Sequence, residues 1–401
     1  MLLPYSCDRP PKSPPLAMVI LVLVHFIIFG IVALVLWSQG STGPVLLYAT
    51  AGITPSSMQW YQPFTYSFLH EDVFHLSVNM LFLWVFGGNV EDAVGWKRFL
   101  GIYMLSAVLT GLLQAGMTRF VPGVDLNAPI VGASGAISAI IGIYAVRYYR
   151  STIRFIGLPV KVPAILILAL LLISEMAMAL VSLLHPYSSG LSDAVAHWAH
   201  IGGFIIGMVW ALTGRMLQAG KHEYQAKDAE AEMKQGSPAA AALRWEDVLK
   251  LQPGDCHVEA NLAYAWAQAG DRNQSIVHYT SALTGLLKKG ERSESAIRYL
   301  EMMGFWEDLV LSAPLLFGIA SALEDTERIP QAITTYKLLL DRWPEAGESG
   351  ISQLRCAALM IKQGEEPELA ADMLADFLID NQDGELTAWA EELMRTARKQ
   401  L

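Results

Sequence analysis

Cysteine is scarce in this 401-residue chain: Cys7, Cys256 and Cys356 lie far apart and show no CxxC spacing. That argues against a disulfide framework and against a thiolate zinc site. Charge is scarce too, at 16% of residues against 53% hydrophobic, with a net charge of −10. An acidic chain without clustered cations lacks what phosphate binding needs, so nucleic acid is excluded as a partner. A histidine pair at zinc-protease spacing is also missing. In "HEDVFH" the histidines His70 and His75 are five apart, and position i+4 is Phe74.

What is present divides in two. Residues 1–216 carry 10 Lys+Arg against 8 Asp+Glu, and the remainder carries 18 against 30. A nearly neutral membrane half thus precedes an acidic soluble half. Apolar runs suited to ~30 Å of hydrocarbon occur at 17–37, 74–90, 97–118, 132–149, 161–184 and 196–216. The first run follows Arg9, Lys12 and a proline-rich leader. It is longer than a signal-peptide core and more spans follow, so it is expected to remain uncleaved.

Charge orients these six spans. With a cytoplasmic N-terminus, the inner segments hold Arg9, Lys12, Lys97, Arg98, Arg147, Arg150, Arg154, Lys161, Arg215 and Lys221, and the outer loops hold only Arg119. The positive-inside rule then places both ends in the cytoplasm. The first outer loop, 38–73, is rich in Trp, Tyr, Pro and Phe ("MQWYQPFTYSFLH") and has no Lys or Arg. That composition suits a structured element at the outer interface.

In this topology the even-numbered spans start at the outer face, and each begins with polar groups. His75 and Asn79 are four apart on one face of span two. Ser134 opens span four within "GASGA", and His200 lies near the start of span six within "AHIGGFIIG". Polar groups inside a membrane are costly and point to function. Gly203 and Gly207 have GxxxG spacing, which permits close approach to a neighbour. If that neighbour carries Gly132 and Gly135, imidazole and hydroxyl come within reach. A neutral histidine is the usual base for a serine nucleophile, and His75 and Asn79 are suited to donate to an oxyanion. Serine within a glycine cluster also serves simple helix packing. Metal binding by His197 and His200 is the weaker alternative, because no carboxylate sits at ligand spacing along the chain.

"HEDVFHLSVNMLFLWVFGGNVED", "GASGA" and "AHIGGFIIG", in this order on spans two, four and six, resemble the rhomboid intramembrane serine proteases over about residues 17–216. The resemblance implies a Ser–His dyad of Ser134 as nucleophile and His200 as general base and acid. It also implies an oxyanion site from His75, Asn79 and the Ser134 amide, with His70 organising the first loop and no metal or cofactor. Two departures stand out. Where members of the family commonly carry Trp-Arg in the first loop, this chain has Tyr61 and Gln62, which leaves the loop's anchoring open. Where many place an aromatic to stack on the catalytic imidazole, this chain has Ser138. Among acids, Glu175 is expected to be a buried or cavity-facing hydrogen-bonding group, Asp193 a helix cap and Glu91 structural. His25 and His185 match no motif and are expected to be interior or interfacial.

The second half reads as helical pairs. Gly236 and Gly270 are 34 apart, each followed five residues later by a small residue, Ala241 or Ser275. With Pro253 and Pro344 at helix ends, this resembles tetratricopeptide repeats. The spacing from Ser275 to Ala332 is irregular.

The expected fold is all-α: a leader (1–16), a six-span rhomboid-like bundle (17–216), a polar helix-prone linker (217–236) and cytoplasmic helical repeats (237–401). The function implied is an intramembrane serine endopeptidase that cleaves membrane-spanning proteins near the outer face, in a bilayer that the family resemblance makes a bacterial inner membrane. The repeats are expected to bind a cytoplasmic protein or peptide. The rival reading is a non-catalytic rhomboid-like protein that binds membrane clients. A channel would instead spread polar residues across both leaflets, and Glu175 lies outside the outer polar layer.

Overall fold

The computed structural model describes residues 4–39, 43–121, 124–155, 160–184, 197–381 and 386–400. His185 and Asp193 lie outside the described residues. The chain forms two compact units, Met1–Lys221 and His222–Leu401.

The first unit is built on six apolar helices: α1 (Leu16–Gln39), α4 (Val73–Val94), α5 (Trp96–Thr118), α6 (Ser134–Arg147), α7 (Ala164–Leu184) and α8 (His197–Thr213). Between α1 and α4 lie α2 (Gly43–Ala51), the single turn α3 (Gln62–Thr65) and a 3-10 turn, Tyr66–Phe68. The helices α1, α4, α5 and α7 are long and apolar enough to cross a bilayer. On α1, Ile20, Leu23, Ile27 and Ile31 are exposed, as are Ile165, Leu166, Leu170 and Ile173 on α7. In water such helix faces would be untenable, but lipid satisfies them, since helices already pair their own backbone groups. The protein is a multi-pass membrane protein.

Span four departs from its expected extent. The apolar run 132–149 yields a helix of only 14 residues, eleven of them buried. At 1.5 Å per residue it covers ~21 Å, short of a ~30 Å core. A helix apolar on every side belongs at the centre of a bundle, and α6 touches α4, α5, α7 and α8.

The α6–α8 contact is a backbone contact. A β-carbon on Gly207 would lie 1.9 Å from the Ala139 carbonyl oxygen, and one on Gly203 would lie 2.2 Å from that of Gly135. Reciprocally, a β-carbon on Gly142 would lie 2.2 Å from the Phe204 carbonyl. Each glycine lets one helix axis move toward the other by about the thickness of a methyl group.

The all-α expectation holds, apart from three short strands: β1 (Pro4–Cys7), β2 (Thr152–Phe155) and β3 (Lys161–Pro163), antiparallel in that order. The leader is therefore part of the folded unit. Cys7 pairs with Ile153, and Thr152 N–H donates to the Asp8 carboxylate. Glu91, at the end of α4, accepts from the Ala17 and Met18 amides at 3.0 and 2.7 Å. It thereby caps the first turn of α1, where unpaired N–H groups and the helix dipole favour an anion. This is the structural role expected of it.

The linker is helical. Residues Met216–Lys234 form α9, which spans the boundary between the two units. The second unit continues with α10 (Pro238–Leu251), α11 (Cys256–Gln268), α12 (Arg272–Lys288), α13 (Arg292–Phe305), α14 (Ala313–Asp325), α15 (Ile329–Arg342), α16 (Ser349–Gln363), α17 (Pro367–Asp380) and α18 (Thr387–Gln400), each packed on its neighbour. Gly236 and Gly270 occupy inter-helix turns with φ of +76° and +83°, where a β-carbon would be strained. Ala241, Ser275 and Ala332 are fully buried at helix crossings. Pro253 and Pro344 each follow a helix end by two residues. The irregular interval, Ser275 to Ala332, contains the non-helical stretch between α13 and α14. Trp306 Nε1 donates to Ser275 Oγ, and Trp343 Nε1 donates to the Leu311 carbonyl, pinning that stretch from both sides.

Gly207→Ala is expected to lower stability by about 1–3 kcal/mol, because carbonyl oxygens cannot move aside as side chains can. At Gly30 an added β-carbon would meet nothing within 4 Å, so alanine there should be tolerated or slightly stabilising. Thermal unfolding of both variants in the same detergent checks the contrast.

Candidate functional site

The approach to Ser134 is set by the loop between α1 and α4. Gln62 is buried and its carboxamide makes four hydrogen bonds. Its oxygen accepts from the amides of Thr54 and Gln59, and its nitrogen donates to the Ala49 and Thr50 carbonyls. The departure at Tyr61–Gln62 thus leaves the loop anchored, by an amide that works as both donor and acceptor. Within this loop Ile53 bridges Ile130 through paired backbone bonds of 3.0 and 2.8 Å. The Gly132 amide then donates to the Tyr66 carbonyl at 3.1 Å. The segment leading to Ser134 is therefore held by two elements of the loop.

Ser134 is half-buried and is the first residue of α6. Gly132 has φ +123°, a conformation open to glycine. A β-carbon there would sit 3.0 Å from the His75 imidazole and 3.9 Å from Ser134 Oγ. Imidazole and hydroxyl therefore flank one small backbone space. Asn79 is one turn further along α4, buried, with Nδ2 lacking a hydrogen-bond partner among the described residues. A buried unsatisfied donor costs about 1–3 kcal/mol, which a transient oxyanion could recover.

His200 lies in the first turn of α8. A β-carbon on Gly135 would contact the Ala199 side chain at 3.4 Å, so the starts of α6 and α8 meet at this level. Glycine at 135 is also required by Thr110 of α5, whose Oγ1 would be 2.4 Å from such a carbon. The first turn of α8 is fixed by Gln114 of α5, whose Oε1 accepts the Ala199 amide at 2.9 Å. Ser106, Thr110, Gln114 and Thr118 form a fully buried polar stripe along α5. Their four-residue spacing inside an apolar span is the signal for it in the sequence, one that motifs do not contain.

Glu175 is explained by its contacts. From α7, its Oε2 pairs with His197 Nδ1 and lies 3.1 Å from His200 Nδ1. The absence of a carboxylate near these histidines, expected from spacing along the chain, is corrected by the fold. Glu175, His197 and His200 offer ligand atoms within 4.8 Å of one another, as do Cys256, His257 and Glu291 in the second unit. In the first set both Nδ1 atoms address one carboxylate oxygen, and the His197 contact is a hydrogen bond. A metal would require each ligand atom to point at a shared centre ~2.0–2.2 Å away.

His70 packs edge-on to His75 and His25, with ring centroids 5.1 and 5.6 Å apart. Burial, with the neighbouring His25 and His75, pushes its imidazole down to about 3. It stays neutral, a packing element of the loop. His25 is interior, pairing with the Leu21 carbonyl at 2.8 Å and with Tyr103 Oη at 3.2 Å. Ser138 faces Gly203, whose β-carbon would be 3.0 Å from its own. The position is small because α8 runs directly over it.

Residues 57–216 match the family model described as the Rhomboid domain. This part of the chain is a rhomboid domain. The chain is similar to the Rhomboid protease GlpG of Pectobacterium atrosepticum, 27% identical over 154 residues, covering 38% of this chain and 48% of that protein. It is equally similar to the Rhomboid protease GlpG of Yersinia pestis, again 27% over 154 residues with the same coverage. Rhomboid protein 1, mitochondrial, of Saccharomyces cerevisiae is 30% identical over 94 residues, 23% of this chain and 27% of that one. The chain thus spans about half the length of the GlpG relatives it matches. The crystal structure of the P58(IPK) TPR domain aligns over 81% of this chain and 97% of its own at 12% identity, but its TM-score of 0.22 is too low to argue from.

Gln62→Leu removes the four loop hydrogen bonds and strands two amides in the rhomboid domain. Hydrogen exchange followed by mass spectrometry is expected to show faster exchange across 50–62 and 128–132. Unchanged protection there would show that the loop is held by other contacts.

Proposed function

We propose that this protein is an intramembrane serine endopeptidase that cleaves membrane-spanning proteins near the outer face. Ser134 is the nucleophile and His200 the general base and acid. His75, Asn79 and the Ser134 amide receive the oxyanion. The observation that carries the reading is the meeting of α6 and α8 at the level of Ser134 and His200, with His75 across Gly132 from the hydroxyl. Similarity to named rhomboid proteases supports it.

Depth supports the same reading. If Arg147 marks the cytoplasmic edge, the ~21 Å rise of α6 puts Ser134 about 10 Å below the outer edge of a ~30 Å core. A hydrolase at that depth needs water from one side and a locally unwound substrate, because a helical carbonyl is already hydrogen-bonded. The excess of Lys and Arg on one side favours cytoplasmic N- and C-termini, and similarity to bacterial rhomboid proteases supports a bacterial inner membrane as the site.

The second unit is assigned the binding of a cytoplasmic protein or peptide. Its stacked helical pairs with small residues at the crossings resemble tetratricopeptide repeats, a type that presents a concave surface.

Labelling of the full chain in detergent with a fluorophosphonate probe tests the chemistry. The wild type is expected to label, and Ser134→Ala and His200→Ala to lose the label. Asn79→Ala should keep the label while cleavage of a single-span reporter falls by about 10²–10³-fold, the effect of losing one oxyanion donor. Equal labelling of wild type, Ser134→Ala and His200→Ala would overturn the dyad.

A further inference from the structure

We propose that Glu175 is a positioning residue: its carboxylate reaches across from α7 and holds His200 with the proton on Nδ1, leaving Nε2 bare as the base for Ser134. The proposal rests on the serine-protease reading above. An ionised carboxylate only accepts hydrogen bonds, so the imidazole nitrogen 3.1 Å from Glu175 Oε2 carries a hydrogen. In neutral imidazole the lone pair is then on Nε2. That atom is buried and has no hydrogen-bond partner among the described residues. A buried acceptor left unpaired in the resting protein is what a base awaiting the serine proton would look like.

Three features of the chain converge on this role. Glu175 is the one charged residue in α7, "AILILALLLISEMAMALVSLL", and charge inside a span is retained where it serves a function. His197, one turn before His200, pairs with the same oxygen, so the carboxylate is itself held in one orientation by two imidazoles of α8. Ser138 cannot supply a ring to steady the imidazole, because α8 packs directly on it at Gly203. The carboxylate steadies His200 instead, from α7, with Oε2 3.1 Å from Nδ1.

The proton path follows. As Ser134 Oγ bonds to the substrate carbonyl carbon, its proton passes to His200 Nε2. The resulting imidazolium carries hydrogen on both nitrogens, and Glu175 faces its charge without taking the proton. His200 then gives the proton to the departing amine nitrogen as the C–N bond breaks. Water attacks the acyl ester, its proton passes through the same Nε2 to Ser134 Oγ, and the carboxylic acid product leaves.

The test uses the full chain in liposomes with a single-span reporter. Glu175→Leu is expected to lower kcat by about 10²–10⁴-fold at unchanged KM, the range for losing the group that orients a catalytic imidazole. Glu175→Gln, which keeps an accepting oxygen but no charge, should fall between Leu and wild type. Nitrogen-15 NMR of labelled histidine should find His200 protonated at Nδ1 in the wild type, a readout independent of how the variants fold. Wild-type kcat in Glu175→Leu, or a His200 proton on Nε2 in the wild type, overturns the proposal. Reporter cleavage that persists in Ser134→Ala would instead remove the protease reading itself.

Discussion

Carbonyl oxygens of α6 lie where β-carbons of α8 would be, and this backbone contact sets the rest of the rhomboid domain. Gly203 and Gly207 take the oxygens of Gly135 and Ala139, and Gly142 takes that of Phe204. Helices whose axes approach this closely have no room for independent sliding, so residues at their starts keep a fixed relation. Lipid tails supply no hydrophobic force between helices, which leaves dispersion and shape as the source of such association. The arrangement also explains why α6 can be so short. A helix surrounded by protein on all sides owes nothing to the bilayer thickness.

The glycine contact places the starts of the two helices, but it does not orient side chains. Orientation comes from polar groups on helices outside the pair: Gln114 of α5 on the first turn of α8, and Glu175 of α7 on the two histidines. The loop between α1 and α4 does the equivalent for α6, through Gln62, Ile53 and the Ile130 bridge. Small residues thus bring the helices together, and larger polar ones at the periphery aim them. Buried networks of this kind specify a single arrangement only when each member is satisfied. Asn79 Nδ2 and His200 Nε2 are among the buried atoms left without partners among the described residues, as are both ring nitrogens of His70.

How much of this is legible in the sequence follows from the range of each interaction. The pairs His75/Asn79 and Gly203/Gly207 are spaced along single helices, so periodicity alone puts each on one face. The partnership of Glu175 with His200 joins two helices across a loop and has no signature in spacing. The same holds for Gln62, whose partners Ala49 and Thr50 lie twelve or more residues away. Span four is shorter than its apolar run because hydropathy reads composition, and the flanking residues are apolar without being helical. The strands β1, β2 and β3 leave no trace in the pattern, since three or four residues carry too little of it to separate strand from coil. In the second unit, turn glycines and small crossing residues are local requirements, and Gly236, Gly270, Ala241 and Ser275 are readable as such.

The pairing of β1 with β2 has a consequence for biogenesis. Asp8 and Thr152 are 144 residues apart in the chain, yet they share an edge of one small sheet. The strand nearest the N-terminus therefore stays unpaired through synthesis of α1, α4, α5 and α6. Glu91, which caps α1, likewise emerges only at the end of α4. Helix α1, the first of these six in chain order, acquires its anchor late, and closure of the fold waits on a contact of long sequence separation, the slow kind in any topology. Until α4 has followed it, α1 is held by lipid alone.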